Sequence, residues 1–222
     1  MTLLKTGGIA ALVCAATYLI GFALLVTLLA PLGFGTGEID PAAVVGFIEA
    51  QPGVLIAWNT TIYIVNALAL AVLVVALHAL LDGATPGWAA VTRAFGLIWA
   101  ALVLGAGMIA NVAVERAAQL AGTDPAAAAE LWQILHAVEL RLGGGNEIAG
   151  GVWIFAVSLA GLIGRSLARI PATIGVATGA GGLATIIPAL GETAGAVFGL
   201  GAIAWFIAVG IVLLRDRAGG RG

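Results

Sequence analysis

The sequence predicts an all-α membrane protein with six transmembrane helices and two short extracytoplasmic amphipathic helices. Of its 222 residues, 62% are hydrophobic and only 9% are charged, whereas about a quarter of the residues in a soluble domain are charged. Apolar runs long enough to cross a bilayer recur along the chain, separated by glycine, proline and charged residues. We therefore treat residues 1–222 as a single transmembrane domain.

Composition also excludes several classes of protein. A formal net charge of -2 and a pI near 5.6 lack the basic footprint of a nucleic-acid-binding protein. One cysteine can form neither an intrachain disulfide nor a cysteine metal site. The sequence contains no His-Glu-x-x-His motif, and neither Ser158 nor Ser166 lies in a Gly-x-Ser-x-Gly motif. We expect no nucleic-acid partner, metal or cofactor, and the lipid bilayer as the first partner.

The first predicted span covers about residues 8–32. Lys5 precedes it, as in a signal peptide, but the run is too long for a signal core and Pro31 follows the residue that could close a cleavage site. We expect a permanent helix. Asp40-Pro41 then supplies an N-cap with proline at the first helical position, which starts a short amphipathic helix on the membrane surface.

Five further spans are predicted, at about residues 53–81, 94–121, 146–164, 171–190 and 194–214. Asp124-Pro125 repeats the cap-plus-proline signal and opens a second amphipathic helix through Leu142. Its predicted apolar stripe consists of Leu131, Leu135, Val138 and Leu142. Because this helix carries too many charged residues to cross the bilayer, we expect it outside.

The basic residues predict the orientation of the chain. Six spans place both termini on one side, and seven of the nine lysines and arginines share that side. The two opposite are Arg116 and Arg141. Cytoplasmic loops of membrane proteins carry an excess of Lys and Arg, so we expect an inner-membrane protein with both termini in the cytoplasm.

Polar residues inside the spans form the candidate ligand site. Asn59, Tyr63 and Asn66 follow the i, i+4, i+7 pattern of one helix face, and Asn111 and Glu115 are i, i+4. Glu147 follows three glycines and enters the fourth span, where a carboxylate costs free energy unless it has a partner or water. The candidate residues are Asn59, Tyr63, Asn66, Asn111, Glu115, Arg116, Asn146 and Glu147. We expect an outward-facing pocket between spans two, three and four, which binds or transports a small polar or amphipathic molecule.

Two other interpretations stay open. The asparagines also fit contacts between packed helices, within the protein or with a partner. The small-residue patterns Gly175-x-x-x-Gly179 and Gly195-x-x-x-Gly199 would let spans five and six approach each other or a neighbouring subunit, which is a second copy or another protein. The protein would then be an accessory or structural subunit of a membrane complex. Alternatively, Glu115 or Glu147 could serve as acid or base of an intramembrane enzyme.

The histidines invite a metal hypothesis that we do not adopt. His136 and Glu139 are i, i+3 and could supply two ligands, but such pairs are common on surface helices. His78 is predicted at the opposite face of the membrane, so it cannot complete that site.

Several of these features together resemble a bacterial membrane family. They are the proline after the first span, the asparagines of the second, the Gly145–Trp153 run, the Arg169-Ile-Pro171 start of the fifth span and Arg215 at the close of the sixth. Over most of its length the chain is similar to the family catalogued as domain of unknown function 4386. The resemblance implies six helices and an inner-membrane location, and it implies no activity.

Overall fold

The computed structural model describes residues 2–34, 39–144 and 147–215, and within them the side chains of all residues except Gly144 and Glu192. This part of the chain is helical and contains no strand, which confirms the predicted fold class at the level of secondary structure. The α-helices in chain order are α1 (Leu3–Leu24), α2 (Pro41–Ala50), α3 (Pro52–Asn59), α4 (Asn66–Asp82), α5 (Pro86–Ala121), α6 (Pro125–Glu139), α7 (Ile148–Ile163), α8 (Arg169–Ala184) and α9 (Gly191–Arg215).

Wider turns interrupt this pattern in three places. Leu25–Leu29 and Thr60–Val65 are π-helical, whereas Leu140–Gly144 contains a kink at Gly143, whose backbone is not helical. Such turns are rare in proteins and occur often at functional sites, because they move side chains out of the α-helical register. The second joins α3 to α4 and the third follows α6 directly.

Five helical stretches in the described residues are long and apolar enough to cross a membrane. They are Leu3–Leu32, Pro52–Asp82, Pro86–Ala121, Pro125–Ile163 and Thr193–Arg215. The chain is therefore compatible with a multi-pass membrane protein, with one candidate span fewer than the six that the sequence predicts.

The difference arises between residues 125 and 190. Helix α8, expected to be the fifth span, has only 16 residues, about 24 Å at a rise of about 1.5 Å per residue, against about 30 Å of hydrocarbon. The predicted surface helix and fourth span instead form one candidate stretch, Pro125–Ile163, which runs over residues 145–146 outside the described part. The glycine break is nevertheless present, since Gly143 has the non-helical angles φ 176° and ψ 4°.

Both predicted cap-plus-proline starts are confirmed. The Asp40 carboxylate accepts a hydrogen bond of 2.9 Å from the backbone N–H of Ala42, at the start of α2. The Asp124 carboxylate accepts one of 3.0 Å from the backbone N–H of Ala127, at the start of α6. Each bond satisfies one of the N–H groups that a helix N-terminus leaves free.

The chain divides into two compact units. Unit 1 comprises Met1–Ala16, Ala67–Ala101 and Asn146–Gly222, and unit 2 comprises Thr17–Asn66 and Leu102–Gly145.

The core of unit 1 is aromatic. Trp153 lies between Trp99, with ring centroids 5.6 Å apart, and Trp205, at 5.4 Å. Trp99 also contacts Phe198 at 6.2 Å. Offset and edge-to-face contacts of this kind add to the free energy gained by burying the rings.

Glycines in unit 1 bring helix backbones into direct contact. A Cβ atom added to Gly151 of α7 would lie 2.8 Å from the backbone of Gly182 in α8, and one added to Gly179 would lie 2.5 Å from the backbone of Phe155. The Gly175-x-x-x-Gly179 pattern therefore packs α8 against α7 and, at Gly175, where a Cβ would also meet Trp205, against α9 as well. In the second pattern, a Cβ at Gly195 would meet nothing within 4 Å.

The core of unit 2 combines α2 and α6 with parts of α3 and α5. Val44, Val45 and Ile48 of α2 are buried together with Ala128 and Trp132 of α6. The short helix predicted to lie on the membrane surface thus contributes three side chains to this core.

The buried face of α6 differs from the predicted stripe by about one residue. Ala128, Trp132 and Glu139 are buried, whereas Val138, which was assigned to the apolar stripe, is 45% exposed. One residue corresponds to a rotation of about 100°. The rotation turns His136 and Glu139 towards the core, so interpreting them as an ordinary surface pair was wrong.

Candidate functional site

A buried carboxylate forms the centre of the polar cluster in unit 2. This carboxylate is that of Glu139, a residue that is only 3% exposed. Its Oε1 accepts a hydrogen bond of 2.5 Å from the phenolic O–H of Tyr63. Its Oε2 lies 2.8 Å from Nδ1 of His136. Both carboxylate oxygens are therefore engaged, as a buried acid requires.

Two irregular backbone segments position these groups. Glu139 is the last residue of α6, immediately before the wide turn Leu140–Gly144, and Tyr63 lies within the wide turn Thr60–Val65. Helix α5 passes close to Tyr63 because Gly107 has no side chain: a Cβ there would lie 2.5 Å from Cβ of Tyr63.

Aromatic rings surround the imidazole of His136. Trp132, one turn earlier on α6, stacks on it with centroids 4.7 Å apart and planes 15° from parallel. The Phe34 ring meets three rings edge-on, those of Trp58 at 5.6 Å, Trp132 at 6.0 Å and His136 at 5.9 Å. We call Phe34, Trp58, Trp132 and His136 the aromatic cluster.

Two nitrogen atoms of the aromatic cluster are buried without a hydrogen-bond partner among the described residues. They are Nε1 of Trp58 and Nε2 of His136. A buried polar group without a partner costs about 1–3 kcal/mol. Native proteins satisfy nearly all such groups, so each exception calls for an explanation.

Two of the predicted asparagines lie in the interior of unit 2, and a third, Asn111, is half-buried there. Asn59 and Asn66 are 6% and 1% exposed, and the Asn66 amide donates a hydrogen bond of 2.7 Å to the hydroxyl of Thr17 in α1. The Asn111 amide of α5 donates one of 3.0 Å to the hydroxyl of Thr60. Its carbonyl oxygen has no partner in the part of the chain that the structure describes.

The predicted charged residues are placed differently. Glu115 and Arg116 lie on the exposed side of α5, and Arg116 donates to the side-chain oxygen of Gln119 at 2.9 Å. Glu147 occupies the N-cap position of α7, in unit 1, and its side chain makes no cap hydrogen bond. Asn146 lies outside the described residues. Of the eight candidates, unit 2 therefore buries the two asparagines of the second span and brings Tyr63 to Glu139.

The sequence held a signal for the residues that we missed. Trp132, His136 and Glu139 follow the i, i+4, i+7 pattern, so they share one face of α6. The sequence analysis predicted the neighbouring aliphatic stripe as the buried face of α6, and so it did not identify these three residues as part of the site.

The polar side chains of Tyr63, Glu139 and His136 can donate and accept hydrogen bonds, and the rings of the aromatic cluster can stack against another ring. Among residues 2–34, 39–144 and 147–215, no three His, Cys, Asp or Glu side chains come together in a way that could hold a metal ion. The described helices are thus long and apolar enough for a multi-pass membrane protein, and unit 2 contains a buried polar cluster. No protein-family model, curated protein or solved structure matches the chain.

Proposed function

We propose that this protein binds or transports a small polar or amphipathic molecule at the Tyr63–Glu139–His136 cluster of unit 2. The observation that carries the proposal is the partnerless Nε2 of His136, buried beside a fully engaged carboxylate. Ionisable residues within membrane-spanning stretches are costly, and they commonly mark substrate and ion pathways.

The alternative that this cluster serves only helix packing leaves its partnerless polar atom unexplained. A contact that served only to hold helices together would gain most by pairing all its polar atoms, as Asn66 does with Thr17. Here Nδ1 of His136 is within hydrogen-bond distance of Glu139, and Nε2 has no partner among the described residues. That arrangement fixes the ring and presents its second nitrogen to an incoming group.

The topology belongs to the same proposal. We infer six crossings, with α8 as the fifth and both termini in the cytoplasm of a bacterial inner membrane. The seven-to-two distribution of basic residues supports it. So does the resemblance to the family of domain of unknown function 4386, which likewise remains a proposal.

Native mass spectrometry of the protein, extracted from its own membranes into nanodiscs, tests ligand binding. We expect a small molecule to accompany the wild-type protein and the Glu130→Gln variant, because Glu130 is an exposed acid on the same helix. Glu139→Gln should lose the molecule while remaining folded by size-exclusion chromatography. Retention in Glu139→Gln, or the absence of any molecule from the wild type, would favour the accessory-subunit interpretation instead.

A further inference from the structure

An apolar groove in unit 1 lies between the start of α8 and the end of α9. It has a volume of about 420 Å³, within the range of about 300–1,000 Å³ that is typical of ligand sites. Its lining includes Ile170 and Pro171 of α8 and Ala208, Ile211 and Val212 of α9. Ile170 is 73% exposed and Ile211 is 38% exposed, so the groove is open at the surface of the protein.

A positive charge lies at one end of the groove. Arg169, the first residue of α8, is the one charged residue among the described residues that line it. Its side chain is exposed, and no acid in the described part of the chain forms an ion pair with it. Since an arginine side chain is always protonated in proteins, the groove presents an uncompensated positive charge beside its apolar surface.

A second arginine extends the α9 side of the groove. The pattern i, i+3, i+4, i+7, which marks one helix face, is followed by Ala208, Ile211, Val212 and Arg215. Arg215 is exposed, ends α9 and has no acidic partner among residues 2–34, 39–144 and 147–215. It lies one turn beyond Val212, about 5 Å along the helix axis. Because the start of α8 lies beside the end of α9, both arginines are at the same end of the groove.

The length of α9 indicates the depth of these groups in a membrane. Thr193–Arg215 is a candidate span, and Arg215 is its last residue. In such a span the apolar lining from Ala208 to Val212 lies within the hydrocarbon, and Arg215 lies at its boundary, at the level of the phospholipid headgroups. The groove is therefore complementary to an amphiphile that is apolar along its length and negatively charged at one end.

We propose that this groove binds an anionic phospholipid. One acyl chain packs against Ala208, Ile211 and Val212, and the negatively charged headgroup pairs with Arg169 and Arg215. Basic pockets between membrane helices bind anionic headgroups in this way. The site lies in unit 1, whereas the ligand site proposed above lies in unit 2, so neither proposal depends on the other.

Two simpler occupants match only part of the groove. A zwitterionic phospholipid would fill the apolar lining, but it carries no net charge to pair with the two arginines. A free phosphate would pair with the arginines, but it would gain nothing from the apolar lining. The charge and the apolar surface together favour an anionic phospholipid over both.

Native mass spectrometry with two added phospholipids tests the proposal. Dioleoylphosphatidylglycerol and dioleoylphosphatidylcholine have the same acyl chains, and only the first has a net negative charge. Each is titrated into delipidated protein in a non-ionic detergent, and the bound fraction gives its affinity. We expect the wild-type protein to bind phosphatidylglycerol about 25-fold more tightly, because each arginine near an anionic lipid contributes about fivefold.

Three arginine variants locate this preference. Arg169→Gln and Arg215→Gln each remove one charge from an exposed position, so both should fold. Each should lower the affinity for phosphatidylglycerol about fivefold and leave that for phosphatidylcholine unchanged. Arg93→Gln is the matched control, because Arg93 is an exposed arginine of unit 1 outside the groove lining. It should keep the full preference.

Two further measurements separate the whole lipid from its headgroup. Ala208→Leu places a larger side chain in the groove lining, so it should weaken the binding of both lipids several-fold. Ala177→Leu is its control, because Ala177 is an exposed alanine of α8 outside the lining. Glycerol 1-phosphate, which has a phosphate and no acyl chain, should displace phosphatidylglycerol only in large excess.

Equal affinity for the two phospholipids, or binding of neither, overturns the proposal. A loss in Arg93→Gln as large as in the two groove variants also overturns it, because the preference would then follow from the overall positive charge. Displacement by an equal concentration of glycerol 1-phosphate, with unchanged binding to Ala208→Leu, would show a site for a free anion instead of a lipid. If Ala208→Leu fails to fold, the arginine variants and the competitor decide the question.

Discussion

Tyr63 and Glu139 are joined by a hydrogen bond of 2.5 Å between the phenolic O–H and a carboxylate oxygen, across 76 residues of sequence. The bond links the second candidate span to the end of α6. Both residues lie in or next to a wide helical turn. It is the contact on which the candidate site depends most directly.

Removing the hydroxyl of Tyr63 should destabilise the protein. Tyr63→Phe keeps the ring but leaves Oε1 of Glu139 without its donor, and such a loss costs about 1–3 kcal/mol. We expect a lower melting temperature in detergent. A double-mutant cycle with Glu139→Leu, which removes both acceptor oxygens, checks the pairing, because residues in contact give non-additive losses. Additive losses would mean that the two side chains do not interact.

The glycines of unit 1 give a matched pair of substitutions. Gly151→Ala should force α7 and α8 apart, since its Cβ would lie 2.8 Å from the backbone of Gly182. We expect a loss of about 1–3 kcal/mol, as in other overpacked cores. Gly195→Ala meets nothing within 4 Å and should be neutral or stabilising by up to about 1 kcal/mol, because alanine favours helix. Thermal unfolding measures both, and equal effects would contradict the packing described.

The two capping positions should respond differently to alanine. Asp124→Ala removes the hydrogen bond to the N–H of Ala127, and loss of a cap typically costs about 1 kcal/mol. Glu147→Ala removes no cap bond from α7, so its effect on stability should be smaller. Unfolding in a denaturant series compares them. A larger loss from Glu147→Ala than from Asp124→Ala would contradict this expectation and would show that the Glu147 carboxylate makes a stabilising contact other than a cap.

Cysteine labelling distinguishes six crossings from five. In a chain whose native Cys14 is replaced by alanine, Thr123→Cys should react with an impermeant reagent in intact cells. Thr2→Cys and Gly220→Cys should not react, because six crossings keep both termini inside. With five crossings, one of the two termini would be labelled. That result would exclude α8 as a span.

The sequence predicted features that depend on local chemistry. Asp40 and Asp124, each before a proline, marked helix starts that the structure confirms, because capping involves only neighbouring residues. The burial of Glu139 could not be predicted in this way. It depends on Tyr63, which is distant in sequence, and on a one-residue difference in the buried face of α6. The wide turns have no local sequence signature, so none was expected.

The wide turn at Thr60–Val65 holds about one residue more than an α-helical turn, because its hydrogen bonds run from i to i+5. Deleting one residue from it would let the segment close as an ordinary α-helix. Asn59 before the turn and Asn66 after it would then keep nearly the same directions, including that of Asn66 towards Thr17. The side chains inside the turn would change direction instead, Tyr63 among them. The extra residue therefore matters for the contact of Tyr63 with Glu139, and a deletion there should weaken that contact more than the one between Asn66 and Thr17.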